Sequence, residues 1–542
     1  MRLEVKDYLL ALKEKDELDL LIGDLYLQKG YHRTSNPKTG NRQYGVDLQL
    51  NRGKEILLCV IKQGSIDRKV WDDGPQSVRQ SLDEIFDVYL RNLAPEDFDK
   101  EVSVKVISNG YMEENVRLNW NGYCEKKYRE YGGKIQIEYV SVDELTLETC
   151  AELFRENLFP DNVRAFLRRA MYFSAESDYN KAYYEKMIDY VLDEIDRENK
   201  PKYKPKLFKR QITAIILACN MIAVYARNEM HFKVGIMVFE YLMLRYWRLM
   251  VKKGWFEKDH YVEWLLRICN LYEENCHHYY MAVKELVIVP GGLDQYNVVE
   301  EQLKLYEIAG FLTSYAYYRC SIYGPEDAEG LDVVNTLISM INVNPSFLYT
   351  CYDSQIAEIS MICRVLLLIG RGKEVTNMLN NHLQTLGLYD IYYKKHPVEK
   401  DDFEAAIRMK MGEEQFGAVS NWESSGLWGY SLLWLCEMDM KELYDELYEG
   451  YLSPHLNNVT KCVWFLRESE EEAFYDYNAM QLAGEGTAIE PVKEYEVFRK
   501  LILSLLDQYK NEMFSFEEYG FEALEIIGCR YFHYVPRVMK DV

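Results

Sequence analysis

No Cys-x-x-Cys pair occurs among the 12 cysteines, which stand singly along 542 residues. That scatter argues against a structural zinc site and against a secreted disulfide framework, and it points to reduced thiols in the cytoplasm. No secretory leader is expected, because Met1-Arg-Leu-Glu-Val-Lys-Asp7 is charged where an apolar stretch should begin. The most apolar run, 212–226, is too short to span a bilayer and carries Asn220, so it reads as a buried helix and no membrane association is expected. Basic charge is also short: the formal net charge is −23, which argues against a general nucleic-acid coat protein. There is no Ser-His-Asp order, no nucleophile elbow and no dinucleotide fingerprint.

What is present is a folded composition, 48% hydrophobic, long enough for several domains. The acidity is uneven. Between residues 29 and 70, nine basic side chains (Lys29, Arg33, Lys38, Arg42, Arg52, Lys54, Lys62, Arg68, Lys69) face only Asp47, Glu55 and Asp67. Such a local positive field suits a phosphate backbone.

Residues 1–150 read as mixed α/β. A helix runs to about Lys29, with Leu18, Leu21, Ile22 and Leu25 at helical spacing and Gly30 as its stop. Two strands follow at about 45–50 and 55–63, split by Asn51, Arg52 and Gly53. A helix from about Asp73-Gly-Pro75 buries Val78, Leu82, Ile85, Phe86 and Tyr89. The β-branched run 102–107, a polar helix at 113–131 and a strand at 134–140 complete the order α-β-β-α-β-α-β. Beyond residue 150 strand signals nearly vanish. Helical patterns occupy about 180–197, 205–228, 231–253, 259–283, 296–322, 327–343 and 352–370, and more continue to about 530. Short connections suggest stacked helical hairpins without a repeat of fixed period, with linkers at 197–206 and 484–491. The expected plan is an α/β domain over 1–150 and an all-helical domain over 151–542.

The chemistry-bearing feature is one acid and one lysine on neighbouring strands. Asp47 lies on the first, and Lys62 ends the apolar run Ile56-Leu-Leu-Cys-Val-Ile61 on the second. A lysine closing so buried a strand is costly unless its charge has a partner. With Gly45-Val-Asp47, Val60-Ile-Lys62, Gln76 and Gln80 on the next helix, and the trailing strands around Val104 and Glu138, residues 10–148 resemble the restriction-endonuclease-like fold. That is the PD-(D/E)xK superfamily, in its Mrr-type branch. The resemblance implies Mg²⁺- or Mn²⁺-dependent cleavage of nucleic acid, DNA ahead of RNA. Asp47 would be a metal ligand and Lys62 would position water and offset charge. Gln63, Gln76, Gln80, Arg42, Arg68 and Lys69 would contact the nucleic acid. The chain departs from the family at Val60, where a second acid normally stands two residues before the lysine. Glu84 is the replacement expected as catalytic and metal-binding acid, with Glu17, Asp24 and Gln63 as further candidates. By analogy with bacterial proteins of this build, an anti-phage effector is expected, its helical part sensing a trigger, binding a protein partner or self-assembling. The alternative is an inactive nuclease fold serving as an interaction scaffold.

Three weaker patterns are set aside. Cys269, Cys276, His277, His278 and His260 match no zinc spacing. Residues 370–376 lack the first P-loop glycine and place Glu374 after the lysine. Arg227 and His231 fall one residue short of the Arg-x4–6-His spacing of HEPN ribonucleases.

Overall fold

The computed structural model describes residues 2–35, 44–74, 76–93, 97, 100–152, 161–174, 179–197, 205–293, 297–393, 396–398, 401–411, 423–465, 486–510 and 521–538. The chain divides into two compact units, Met1–Val234 and Gly235–Val542. The change from mixed to helical sequence near residue 150 falls inside the first unit.

The first unit opens with α1 (Arg2–Ala11) and α2 (Asp19–Gln28). The apolar spacing read as one helix ending near Lys29, but a wide turn at Glu14–Leu18 interrupts it, with the Leu18 N–H on the Lys13 carbonyl at 2.9 Å. The break is stabilised from far along the chain. The Asn109 amide, itself 1% exposed, donates to the Leu9 and Leu12 carbonyls at 2.7 and 2.9 Å. These are carbonyls that an ending helix leaves open.

Five strands follow: β1 (His32–Ser35), β2 (Leu48–Arg52), β3 (Glu55–Lys62), β4 (Glu101–Ser108) and β5 (Gln136–Val140). They form one sheet in that order, antiparallel from β1 to β3 and parallel from β3 to β5. β1 was not expected, since its polar sequence carries no apolar alternation; backbone pairing to β2 creates it. Between β3 and β4 the single expected helix is two, α3 (Arg68–Asp72) and α4 (Val78–Glu84). The Asp67 carboxylate accepts from the Val70 N–H and the Ser77 hydroxyl from the Gln80 N–H, so each helix has its own N-cap. The expected start at Pro75 lies outside the described residues. α5 (Glu114–Glu130) crosses from β4 to β5, and α6 (Val142–Glu152) follows.

β3 is the centre of this sheet, with Ile56–Ile61 all at most 1% exposed. Alternation splits the run. Ile56, Leu58 and Val60 join Val104, Val106, Trp71, Val78, Leu82, Ile85, Phe86, Val116 and Trp120 in one cluster under α3–α5. Leu57, Cys59 and Ile61 turn to the opposite face. Each such side chain removed from water contributes roughly 1.5–3 kcal/mol. Helices α7 (Asp161–Phe173), α8 (Ala182–Arg197) and α9 (Pro205–Asn228) complete the unit, and α9 packs on α1. The apolar run at 212–226 lies within α9 and is mostly buried, with Tyr225 exposed.

Where the sheet ends, backbones meet. The Gly64 N–H donates to Asn109 at 2.7 Å, and a methyl group on Gly110 would stand 2.3 Å from the Gly64 carbonyl carbon and 2.5 Å from the Ser65 nitrogen. Backbone cannot yield as a side-chain tip can. Gly110→Ala should therefore cost on the order of 3 kcal/mol, read as a lowered urea midpoint; an unchanged midpoint would mean the contact relaxes freely.

The second unit is mainly helical: α10 (Phe232–Lys253), α11 (Asp259–Val287), α12 (Val298–Tyr323), α13 (Ala328–Val343), α14 (Ile356–Leu368), α15 (Gly372–Tyr393), α16 (Phe403–Met411), α17 (Gly426–Glu437), α18 (Lys441–Leu447), α19 (Tyr495–Lys510) and α20 (Ala523–Phe532). A small sheet was not expected: β6 (Ser424–Ser425) and β8 (Thr487–Ile489) flank β7 (Thr460–Val463). β8 thus occupies part of the expected 484–491 linker, while 198–204 of the other linker lies outside the described residues. Buried ion pairs bind these helices. Arg530 of α20 grips Glu240 of α10, which is fully buried. Among the described residues no helix is long and apolar enough to cross a membrane.

Candidate functional site

The antiparallel β2–β3 register ends at Leu48 opposite Cys59, and Asp47 stands just before β2 rather than within it. The Asp47 N–H bonds the Cys59 carbonyl at 2.9 Å, and its carboxylate accepts from the Ile61 N–H at 2.8 Å. Asp47 is therefore fixed at the strand entrance at both its backbone and its side chain. Val60 is fully buried within the α3–α5 cluster, so the position two residues before Lys62 is one of apolar packing.

Lys62 ends β3 in parallel register with Ser108. Its side chain is 11% exposed, and its ammonium lies 4.0 Å from the Glu14 carboxylate. Glu14 also accepts from the Gln63 N–H at 3.3 Å. Burial raises the Asp47 carboxyl above its ordinary range. The Ile61 N–H and Lys62 oppose that rise, and Glu14 adds to it. Asp47, Lys62 and Glu14 thus share one end of the sheet, two acids and one base, at the carboxyl ends of its parallel strands. Such ends are where open α/β sheets generally bind ligands.

Glu14 was not among the acids anticipated. The apolar spacing drew a continuous helix through it and gave no sign that the chain turns there. The other acids are placed as follows. Glu17 is engaged by Arg210 of α9 and by the Lys13 N–H. Asp24 is raised by burial and acted on by Arg33 and Arg164. Glu84 is the last residue of α4, and the charges that weigh most on Asp47 are those of Lys62, Glu14 and Lys15. Gln63, Arg68, Lys69, Gln76 and Gln80 are exposed on the segments after β3. Arg42 lies outside the described residues.

Among the described residues no group of three or more His, Cys, Asp and Glu is placed to hold a metal. Two hard carboxylates, one of them buried, nevertheless fit Mg²⁺, which retains most of its water and is commonly held by one or two carboxylates plus phosphate. Two of the weaker patterns take ordinary structural roles. Cys269 and Cys276 are buried, His277 pairs with Glu329 at 2.6 Å, and His278 lies 3.6 Å from Glu274. Residues 370–372 form the turn into α15, with Gly370 at φ +73°.

No family model, curated protein or solved structure matches the chain.

Proposed function

We propose that the α/β part of the first unit is a metal-dependent nuclease of restriction-endonuclease-like build, and that the helical remainder serves sensing or assembly, as in a defence effector. The observation that carries this reading is Glu14. It supplies beside Asp47 and Lys62 the second carboxylate that Val60 cannot. Asp47 and Glu14 would hold Mg²⁺ or Mn²⁺, which when bound polarises a phosphate and offsets its charge. Lys62 would donate to a phosphate oxygen and hold the attacking water, its charge oriented by Glu14. Exposed Arg68 and Lys69, with Gln63, Gln76 and Gln80, would meet the nucleic-acid backbone next to that site. The mixed sheet, with its β-α-β crossovers after an antiparallel meander, supports the same reading at the level of topology.

A second reading rests on Val60. With the usual acid replaced by core packing, the domain could be an inactive scaffold. Plasmid and linear DNA, with single-stranded RNA alongside, decide between them when incubated with Mg²⁺ or Mn²⁺ and the wild type, Asp47→Ala or Lys62→Ala. Metal-dependent cleavage by wild type that is lost in both variants is expected. Cleavage persisting in both sinks the site, and no cleavage by wild type favours the scaffold.

A further inference from the structure

The second unit buries a cation that has one hydrogen-bond acceptor among the described residues. Lys461 lies in β7, in register with Ser425 of β6 and Ile489 of β8, and is 5% exposed. Its ammonium donates to the Leu456 carbonyl, an oxygen that already accepts the Val459 N–H at 3.2 Å. An ammonium has three donors. Among the described residues no carboxylate lies within ion-pair distance of Lys461, and no second acceptor meets it. Burial pushes this amine below its ordinary range, and the exposed Glu490 opposes that only at a distance.

The same lysine lines an open cleft of about 340 Å³, with Tyr448, Ser453, Asn457, Asn458, Thr460 and Glu490 around it. Apart from Glu490, the polar groups there can all donate: two amides, three hydroxyls and the ammonium. If Lys461 merely filled space, an apolar side chain of similar length would do so without desolvating a charge. If it merely capped the short turn ending at Leu456, one donor would suffice and the cleft would have no part. Neither accounts for a buried lysine that also lines a donor-rich cleft.

We propose that this cleft binds a small oxyanion, a carboxylate or phosphate group, seated on Lys461 and hydrogen-bonded by the side chains around it. The anion supplies the acceptors the ammonium lacks, and charge-assisted bonds of this kind are the strong ones. Glu490 on the rim disfavours high negative charge, so a singly charged group is preferred over a doubly charged one. This site is independent of the nuclease reading and stands or falls without it.

The test is calorimetric titration of the full chain with acetate and, separately, inorganic phosphate, which distinguishes the two sources of the oxyanion. Saturable binding of at least one is expected, weakened about tenfold or more in Lys461→Met and unchanged or tightened in Glu490→Gln. Lys461→Met removes a buried charge, so its thermal midpoint should not fall. Should it fail to fold, Asn458→Asp, at an exposed position, is the second variant and should also weaken binding about tenfold. No saturable binding of either anion by wild type, or equal binding by a folded lysine variant, overturns the proposal.

Discussion

Glu14→Gln should reduce metal-dependent cleavage about a hundredfold or more, whereas Glu84→Gln should leave it within about threefold. Glutamine keeps the size of glutamate, and its carbonyl oxygen can still accept from the Gln63 N–H, which Glu14 receives at 3.3 Å. What it removes is charge: the partner 4.0 Å from the Lys62 ammonium and one of two carboxylates for the cation. Cleavage lost through metal binding should recover in part at higher Mg²⁺, and cleavage lost through disorder of Lys62 should not, so a metal titration separates the two. Glu84 ends α4 and is not among the charges that weigh most on Asp47. The reverse result, with Glu14→Gln active and Glu84→Gln dead, would return the second acid to α4. Equal loss in both would mean that α4 also closes on the substrate.

The second unit should lose about 3 kcal/mol of stability between about pH 5 and pH 2. Glu525 of α20 is 6% exposed. Burial alone would raise its carboxyl, but Arg537 and Arg364 outweigh burial and hold it down, from 4.5 to about 2. Arg537 reaches it through a guanidinium bond at 2.7 Å and its backbone N–H at 3.0 Å, and Arg364, 1% exposed, stands 3.8 Å away. Arg364 also donates to the Tyr317 hydroxyl at 3.1 Å and the Arg537 carbonyl at 3.1 Å, so α12, α14, α20 and the segment after it meet at one network. Because the folded value lies below the unfolded one, the stabilisation is complete above the unfolded value and vanishes as pH falls through about 2. Glu525→Gln should lower the thermal midpoint at pH 7 and flatten its fall between pH 5 and 2. A variant whose midpoint tracks wild type at every pH would show that the network contributes nothing.

How much of this was legible beforehand varies with the range of the forces involved. The long helices of the second unit were readable because their apolar positions recur at one spacing, and 205–228 and 328–343 fall where the pattern puts them, to within a residue. The buried β3 was readable too, since six consecutive apolar residues between turn signals have few alternatives. Asp47 and Lys62 could be read as close along two neighbouring strands because turn residues lie between them, although the turn itself falls at Gly53–Lys54, with Asn51 and Arg52 paired in β2. The strands β1, β6, β7 and β8 were not readable. They are short, and pairing with a partner distant in sequence decides them, not their own pattern.

The sequence by itself determined the mixed first part, the helical remainder, and the acid before β2 and the lysine ending β3. Periodicity and turn chemistry act over a few residues and are written locally. Only the tertiary structure decided which carboxylate joins them. Asn109, brought up by the parallel β4, satisfies the end of α1, the chain turns, and Glu14 comes to Lys62. Hydrogen bonds between residues about a hundred positions apart leave no local trace, so the second acid was visible only once the chain had folded around it.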